Sequence, residues 1–158
     1  MKVSAKADYA VRAAAELAAS QSVRPVKAER ISEAQGIPIK FLEAILLELK
    51  HANVVKSTRG AEGGYALARP ASEISIADVI RAVDGPLANV RGERPEETSY
   101  KGAAENLTKL WVAVRSSLRE VLEQTSLADL TSGKFPKKVV SLADAPNAWQ
   151  SPGRSGAS

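Results

Sequence analysis

Apolar residues recur at three- and four-residue spacing along most of this chain, and each periodic stretch predicts a helix. Tyr9, Ala13 and Leu17 give one buried face to a segment running from about Ala5 to Ser20, with Ser4 placed to cap its start. In VKAERISEAQG, residues Ala28, Ile31 and Ala34 share one side of a second, short helix that Gly36 ends. The stretch IPIKFLEAILLELKHAN places Pro38 in a first turn, repeats Phe41, Leu42, Ile45, Leu46 and Leu49 at helical spacing, and stops at Asn53. Its outer face then offers Lys40, Glu43, Ala44, Leu47 and Lys50. Alternation replaces this period next, because NVVKSTRG and YALAR flank the turn AEGG, so residues 54–68 read as a β-hairpin. Ser75 caps IADVIRAVDGP, in which Ile76, Val79, Ile80 and Val83 recur before Gly85 and Pro86 close the segment. The longest amphipathic stripe follows: Leu107, Leu110, Trp111, Val114, Leu118, Val121 and Leu122.

The order of these elements predicts a mainly α fold. Two short helices joined by the tight turn QGIP form a helix-turn-helix, and a hairpin after it makes a winged helix with a two-stranded wing. We expect a winged-helix DNA-binding domain over residues 1–85, a loop at sensor position over 86–102, a dimerisation helix region over 103–131, and a disordered tail over 132–158. The loop GPLANVRGERPEETSYKG carries no apolar period and is longer than connections in compact domains usually are. The stripe beyond it meets a core that is already closed. Pairing with the same helix of a second copy would cover it, and packing against the first helix is compatible with that.

Composition narrows the function classes. The hydrophobic 44% is carried by Ala, Val, Leu and Ile with few aromatics, which suits packed helices. Residues 1–69 hold 11 Lys/Arg against 7 Asp/Glu, residues 70–131 hold 7 against 10, and residues 132–158 hold 4 against 1. The basic N-terminal half therefore suits a polyanionic partner. Asp8, Arg12 and Glu16 interrupt the apolar character of the N-terminal segment, and no apolar run spans a bilayer, so a cytoplasmic protein without a membrane partner is expected. The absence of cysteine excludes disulfides, thiol nucleophiles and thiolate metal ligands. A single histidine and no nucleophile–base set or phosphate-cradling loop argue against an enzyme. Near the hairpin turn, Lys56, Ser57, Thr58 and Arg59 cluster before Gly60, while Gly63 and Gly64 permit unusual backbone geometry or close approach. An extended Arg59 suits a narrow minor groove, where the potential of both phosphate strands converges on its guanidinium.

The segments DYAVRA, ISEAQGIPIKFLEAILLELKHANVVKSTRGAEGGYALAR and ISIADVIRAVDGPL resemble the Rrf-two family of bacterial transcription regulators, over about residues 1–130. The resemblance implies a winged-helix homodimer that binds a pseudo-palindromic operator in double-stranded DNA, with repression as the expected outcome. It places the second helix of the motif in the major groove, beginning at Pro38 and presenting Lys40, Glu43 and Lys50. Arg59 becomes the minor-groove residue, and Lys56, Ser57, Thr58 and the amides near Gly60 and Gly63 meet phosphates, with Lys27 and Gln35 as further phosphate candidates. In cluster-binding members the loop supplies cysteine ligands to an iron–sulfur centre. This chain has none, so no cofactor and no metal is expected. Asp8 and Arg12 read as a polar network, and Arg91, Glu93, Glu96 and Glu97 as a solvated sensor-position loop, although the glutamates and Asp8 together have the chemistry to attract a hard cation. His51 reads as a helix-terminal cation or phosphate contact. Three inputs stay open for the regulator: a small molecule, a protein partner, or no signal at all. A winged-helix module that docks a protein instead of DNA is the alternative.

Overall fold

The architecture was obtained as a computed structural model, which describes residues 1–20 and 24–152. Helix α1 (Ala5–Ala19) starts where its cap predicts, with Ser4 Oγ accepting from the Ala7 amide at 2.9 Å. Its face of Ala7, Ala10, Ala13, Ala14 and Leu17 is buried. Small side chains along that face let neighbouring helices approach closely, so α1 becomes the central element. Around it pack α2 (Ala28–Gln35), α3 (Ile39–His51), α4 (Ile76–Asp84) and α6 (Leu127–Ser132). Strands β1 (Val55–Thr58) and β2 (Gly64–Leu67) form the antiparallel hairpin, in register from Val55 opposite Leu67 to Thr58 opposite Gly64. Helix α4 opens with a capping box in which Ser75 and Asp78 each accept from the other's amide at 3.0 Å.

Beyond residue 85 the structure differs from the sequence reading in three places. Within the region 103–131, α5 (Leu107–Leu122) spans the apolar stripe, but a further helix follows that the stripe did not include: the Thr125 hydroxyl turns back to the Val121 carbonyl at 2.7 Å, and Ser126 with Asp129 builds a second capping box that starts α6. The Leu127 amide donates to Ile74 O and the Ile76 amide to Thr125 O, both at 2.9 Å, and Leu127 is fully buried. The winged-helix core thus takes a segment from beyond the loop.

The second difference is the loop. Its charged side chains are exposed, as a solvated connector's would be, but contacts 10 to 19 residues apart in sequence hold it against α5. Val90 and Glu93 exchange backbone hydrogen bonds of 2.9 and 3.0 Å around Arg91 and Gly92, both at positive φ. Pro95 and Thr98 are buried, Thr98 Oγ1 donates to Pro95 O at 2.6 Å, and Thr108 Oγ1 donates to Thr98 O at 2.9 Å. Trp111 Nε1 donates to Tyr100 Oη at 3.2 Å.

The third difference lies in the segment expected to be a disordered tail, which carries α7 (Lys137–Ala143) after Pro136. Lys138 pairs with Glu120 of α5 at 3.5 Å, and Trp149 Nε1 donates to Ala143 O at 2.8 Å. Residues 153–158 lie outside the described residues.

Helix α5 itself is covered incompletely, and none of its residues is fully buried. Trp111, Val114, Leu118 and Leu122 face a groove of about 710 Å³ shared with Ile80 of α4 and with Leu87 and Val90 of the loop. Leu110, on the same helix, is 55% exposed.

Candidate nucleic-acid interface

The helix-turn-helix is assembled from its turn outward. Gly36 caps α2 with φ 62°, a left-handed conformation that glycine adopts without a Cβ penalty. The Ile37 amide then returns to Ser32 O at 3.1 Å, while Ser32 Oγ donates to Ile37 O at 2.6 Å. Ile37 is buried at the corner, Pro38 sets the entry to α3, and Leu42, Ile45, Leu46 and Leu49 anchor that helix in the core. Each such side chain contributes roughly 1.5–3 kcal/mol on burial. Asn53, with φ 59°, stops the helix as expected. The opposite face exposes Lys40, Glu43, Ala44, Leu47, Lys50 and His51. Phe41 departs from the reading that placed it in the apolar stripe, because it is 65% exposed.

The wing is held by an interaction that hydrophobic periodicity does not show. Val26 and Tyr65 exchange backbone hydrogen bonds of 2.8 and 2.7 Å, adding an isolated bridge beside β2. Its only sequence signal is a β-branched residue after Pro25, too short to register as a strand. This bridge explains Gly64, whose missing Cβ would lie 2.5 Å from the Val26 carbonyl oxygen. At Gly63 a Cβ would lie 2.1 Å from Thr58 O, so the tip closes only around glycine. Lys56, Ser57, Thr58, Arg59 and Gly60 are exposed along β1 and the tip, while Gly63 is buried within it.

Of the further phosphate candidates, Lys27 is exposed beside the wing, with Nζ 3.5 Å from Gly60 O at its tip. Gln35 instead donates to Glu16 Oε1 of α1 at 2.5 Å. Arg24, which sequence reasoning did not single out, reaches Glu62 of the wing tip at 3.4 Å. Among the described residues, Lys40, Lys50, Lys56 and Arg59 form no ion pair within the chain, so their charge faces outward. Exposed cations on a rigid helix and a hairpin tip are the arrangement that duplex phosphates attract.

The sensor-position residues are not drawn together. Asp8 pairs with Arg12 at 3.4 Å, and the Arg12 guanidinium lies 4.9 Å from the Tyr9 ring centroid, which is the polar network expected on α1. Arg91 lies 5.8 Å from the Tyr100 ring centroid. Glu97 accepts from the Arg94 amide at 3.1 Å, and Glu96 pairs with Arg115 of α5. A backbone hydrogen bond, and then the Arg115 side chain, hold the Glu96 carboxyl below the usual glutamate range. Among the described residues no group of His, Asp or Glu gathers in a metal-binding cluster. The hard-cation idea for the three glutamates and Asp8 is therefore not supported by their arrangement.

Comparison with known families decides what this scaffold is. The model of Rrf2, described as an iron-dependent transcriptional regulator, matches residues 3–133. The chain belongs to the Rrf2 family. An HTH-type transcriptional regulator of Mycobacterium tuberculosis, Rv1287, is 51% identical over 144 residues, covering 91% of this chain and 89% of the relative. CymR of Bacillus subtilis, also named an HTH-type transcriptional regulator, is 33% identical over 132 residues, covering 84% of this chain and 91% of CymR. The solved structure of B. subtilis CymR, described as the global cysteine regulator, matches with a TM-score of 0.72 at 32% identity, covering 85% of this chain and 98% of that one. The structure of T. potens IscR matches with a TM-score of 0.66 at 33% identity, covering 97% and 94%. Rrf2 proteins are DNA-binding winged-helix transcriptional regulators and not enzymes, as the sequence implied. Among the described residues no helix is long and apolar enough to cross a membrane.

The family description names iron, so the donors available in this Rrf2 chain matter. There is no cysteine, and the loop's Glu96 and Glu97 already hold Arg115 and the Arg94 amide. Iron–sulfur clusters draw their ligation from thiolates. The residues present do not fit such a centre.

Proposed function

We propose that this Rrf2 protein is a cytoplasmic homodimeric repressor that reads a pseudo-palindromic operator through α3 and the wing, without an iron–sulfur cluster. The observation that carries the reading is the pairing of outward-facing Lys40, Glu43 and Lys50 on α3 with an exposed Arg59 at a wing tip closed by Gly63. Lys40, Lys50, Lys56 and Lys27 supply sequence-independent attraction to phosphates. Glu43 acts differently, because a carboxylate accepts from cytosine N4–H yet repels phosphate, so it penalises wrong bases more than it raises affinity. Arg59 enters the minor groove.

Support for a two-fold dimer comes from α5, where Leu110 stands in solvent and the stripe from Leu107 to Leu122, including Val121, is only half covered. Two heads on one dimer would read half-sites about one helical turn apart. The effector, a small molecule or a protein partner, switches the dimer only by binding its DNA-competent and incompetent forms with different affinity.

The test is a binding titration against duplex DNA selected from a random pool, repeated across salt concentrations. The logarithm of affinity should fall with the logarithm of salt at a slope of about −0.9 per phosphate neutralised. Failure to retain any duplex, or affinity indifferent to salt, would favour a protein-docking module instead. Mass measurement in solution tests the dimer.

A further inference from the structure

Phe41 has a position that its chemistry does not explain within one chain. It is 65% exposed, while its neighbour Leu42 and the next turn's Ile45 are 0% and 2% exposed. It occupies the first turn of α3, the end that a recognition helix inserts among base edges. Around the helix axis it lies about 100° from Lys40 and about 60° from Ala44. Ala44 is exposed and small, which leaves open space beside the ring. A phenyl group neither donates nor accepts a hydrogen bond, so it adds nothing to phosphate binding and nothing to recognition of guanine, adenine or cytosine edges. The one apolar group a base pair presents in the major groove is the thymine C5-methyl. A second copy of α3 is a poor cover for the ring, because Lys40 and Lys50 on the same helix would meet their own like charges.

We propose that Phe41 is a specificity-determining residue that packs its ring against a thymine methyl in each half-site. The inference rests on the regulator reading above and adds the base it selects. Helix α3 then reads two bases by opposite chemistry: cytosine through the Glu43 carboxylate, and thymine through an apolar contact that excludes water.

The experiment uses the full chain and the duplex selected from a random pool. Each thymine of the selected site is replaced in turn by deoxyuridine, which deletes the methyl and leaves every hydrogen-bonding group in place. At one thymine per half-site, wild-type affinity should fall roughly fourfold, the value of one buried methyl-sized group. In Phe41→Ala the same replacement should change nothing further, and Phe41→Leu should keep part of the discrimination. Because Phe41 is exposed, both variants should match the wild type in circular dichroism and thermal midpoint. Deoxyuridine losses of equal size in wild type and Phe41→Ala would overturn the assignment. So would a scan in which no thymine responds, or a Phe41→Ala variant that weakens all duplexes equally. If the wild type selects no duplex, the regulator reading falls and this proposal with it; Arg59-dependent binding without the methyl coupling sinks the Phe41 proposal alone.

Discussion

Two amphipathic helices, α3 and α5, solve the same problem differently. Helix α3 sinks Leu42, Ile45, Leu46 and Leu49 to 2% exposure or less, so its opposite face is held rigid and free for charge. Helix α5 has a longer stripe, yet Trp111, Val114, Leu118 and Leu122 border an open groove and Leu110 stands in solvent. Helix α3 buries the centre of its stripe within one chain and leaves Phe41 and Leu47 outward, whereas no residue of α5 is fully buried. An exposed apolar stripe next to a finished domain marks an interaction site. Rigidity and incompleteness are thereby divided between the second helix of the helix-turn-helix and the helix beyond the loop.

Truncation should expose this division most strongly. Leu46→Ala creates a cavity in a region with no solvent access and should cost about 2–5 kcal/mol in urea unfolding. Leu110→Ala deletes a side chain that is already more than half exposed and should leave single-chain stability within about 0.5 kcal/mol, while weakening association measured by sedimentation. A concentration-dependent unfolding midpoint that Leu110→Ala flattens would place the missing partner of α5 on a second copy. Equal destabilisation by both substitutions would erase the contrast.

The next effect is on binding. Arg59→Ala should lower operator affinity roughly tenfold, about 1.4 kcal/mol, with the unfolding midpoint unchanged. Lys56→Ala should act through phosphate alone and reduce the salt slope by about 1. Unchanged affinity in the Arg59 variant would remove the wing tip from the interface.

What could be read directly from the chain follows the same split. Helices α1 to α4 and the hairpin were legible because their periods, caps and turn residues agree locally, from Ser4 and Ser75 to Gly36 and Asn53. Phe41 was misplaced because a period of four apolar residues does not distinguish the edge of a stripe from its centre. The Val26–Tyr65 bridge was illegible because each partner contributes a single residue and the pairing is long-range. In the loop, order comes from Thr98 with Thr108, Tyr100 with Trp111 and Glu96 with Arg115, pairs that are 10 to 19 residues apart and have no periodic signature. The second capping box is readable as Ser126 followed by Asp129, but the helix it starts has 6 residues, too few to show an apolar period.

That box predicts a smaller effect. Ser126→Ala should cost about 1 kcal/mol, since it leaves the Asp129 amide without its acceptor. The loss should appear as faster hydrogen exchange at Leu127 and Ile76, the amides that join α6 to the core. Exchange confined to α5 would show that α6 belongs with the assembly half and not with the winged helix.

The smallest effect concerns the contact between the loop and α5. The Glu96 carboxyl is held below its ordinary range by a backbone hydrogen bond and by Arg115, so the folded state favours its ionised form. Its stabilising contribution is therefore complete above the unfolded-state range and is lost as pH falls through the lowered folded value. Solvent screening keeps the contribution small, because the carboxylate side of the pair is exposed. Glu96→Gln should remove that part of the acid dependence: the wild type loses stability on acidification below the glutamate range, and the variant loses less while differing little near neutrality. Local exchange at Thr98 and Tyr100 is the more sensitive readout, because opening of the loop does not require unfolding of the core. An identical pH profile for the two proteins at those amides would mean that the Thr98–Thr108 bonds hold the loop on α5 without the Glu96–Arg115 pair.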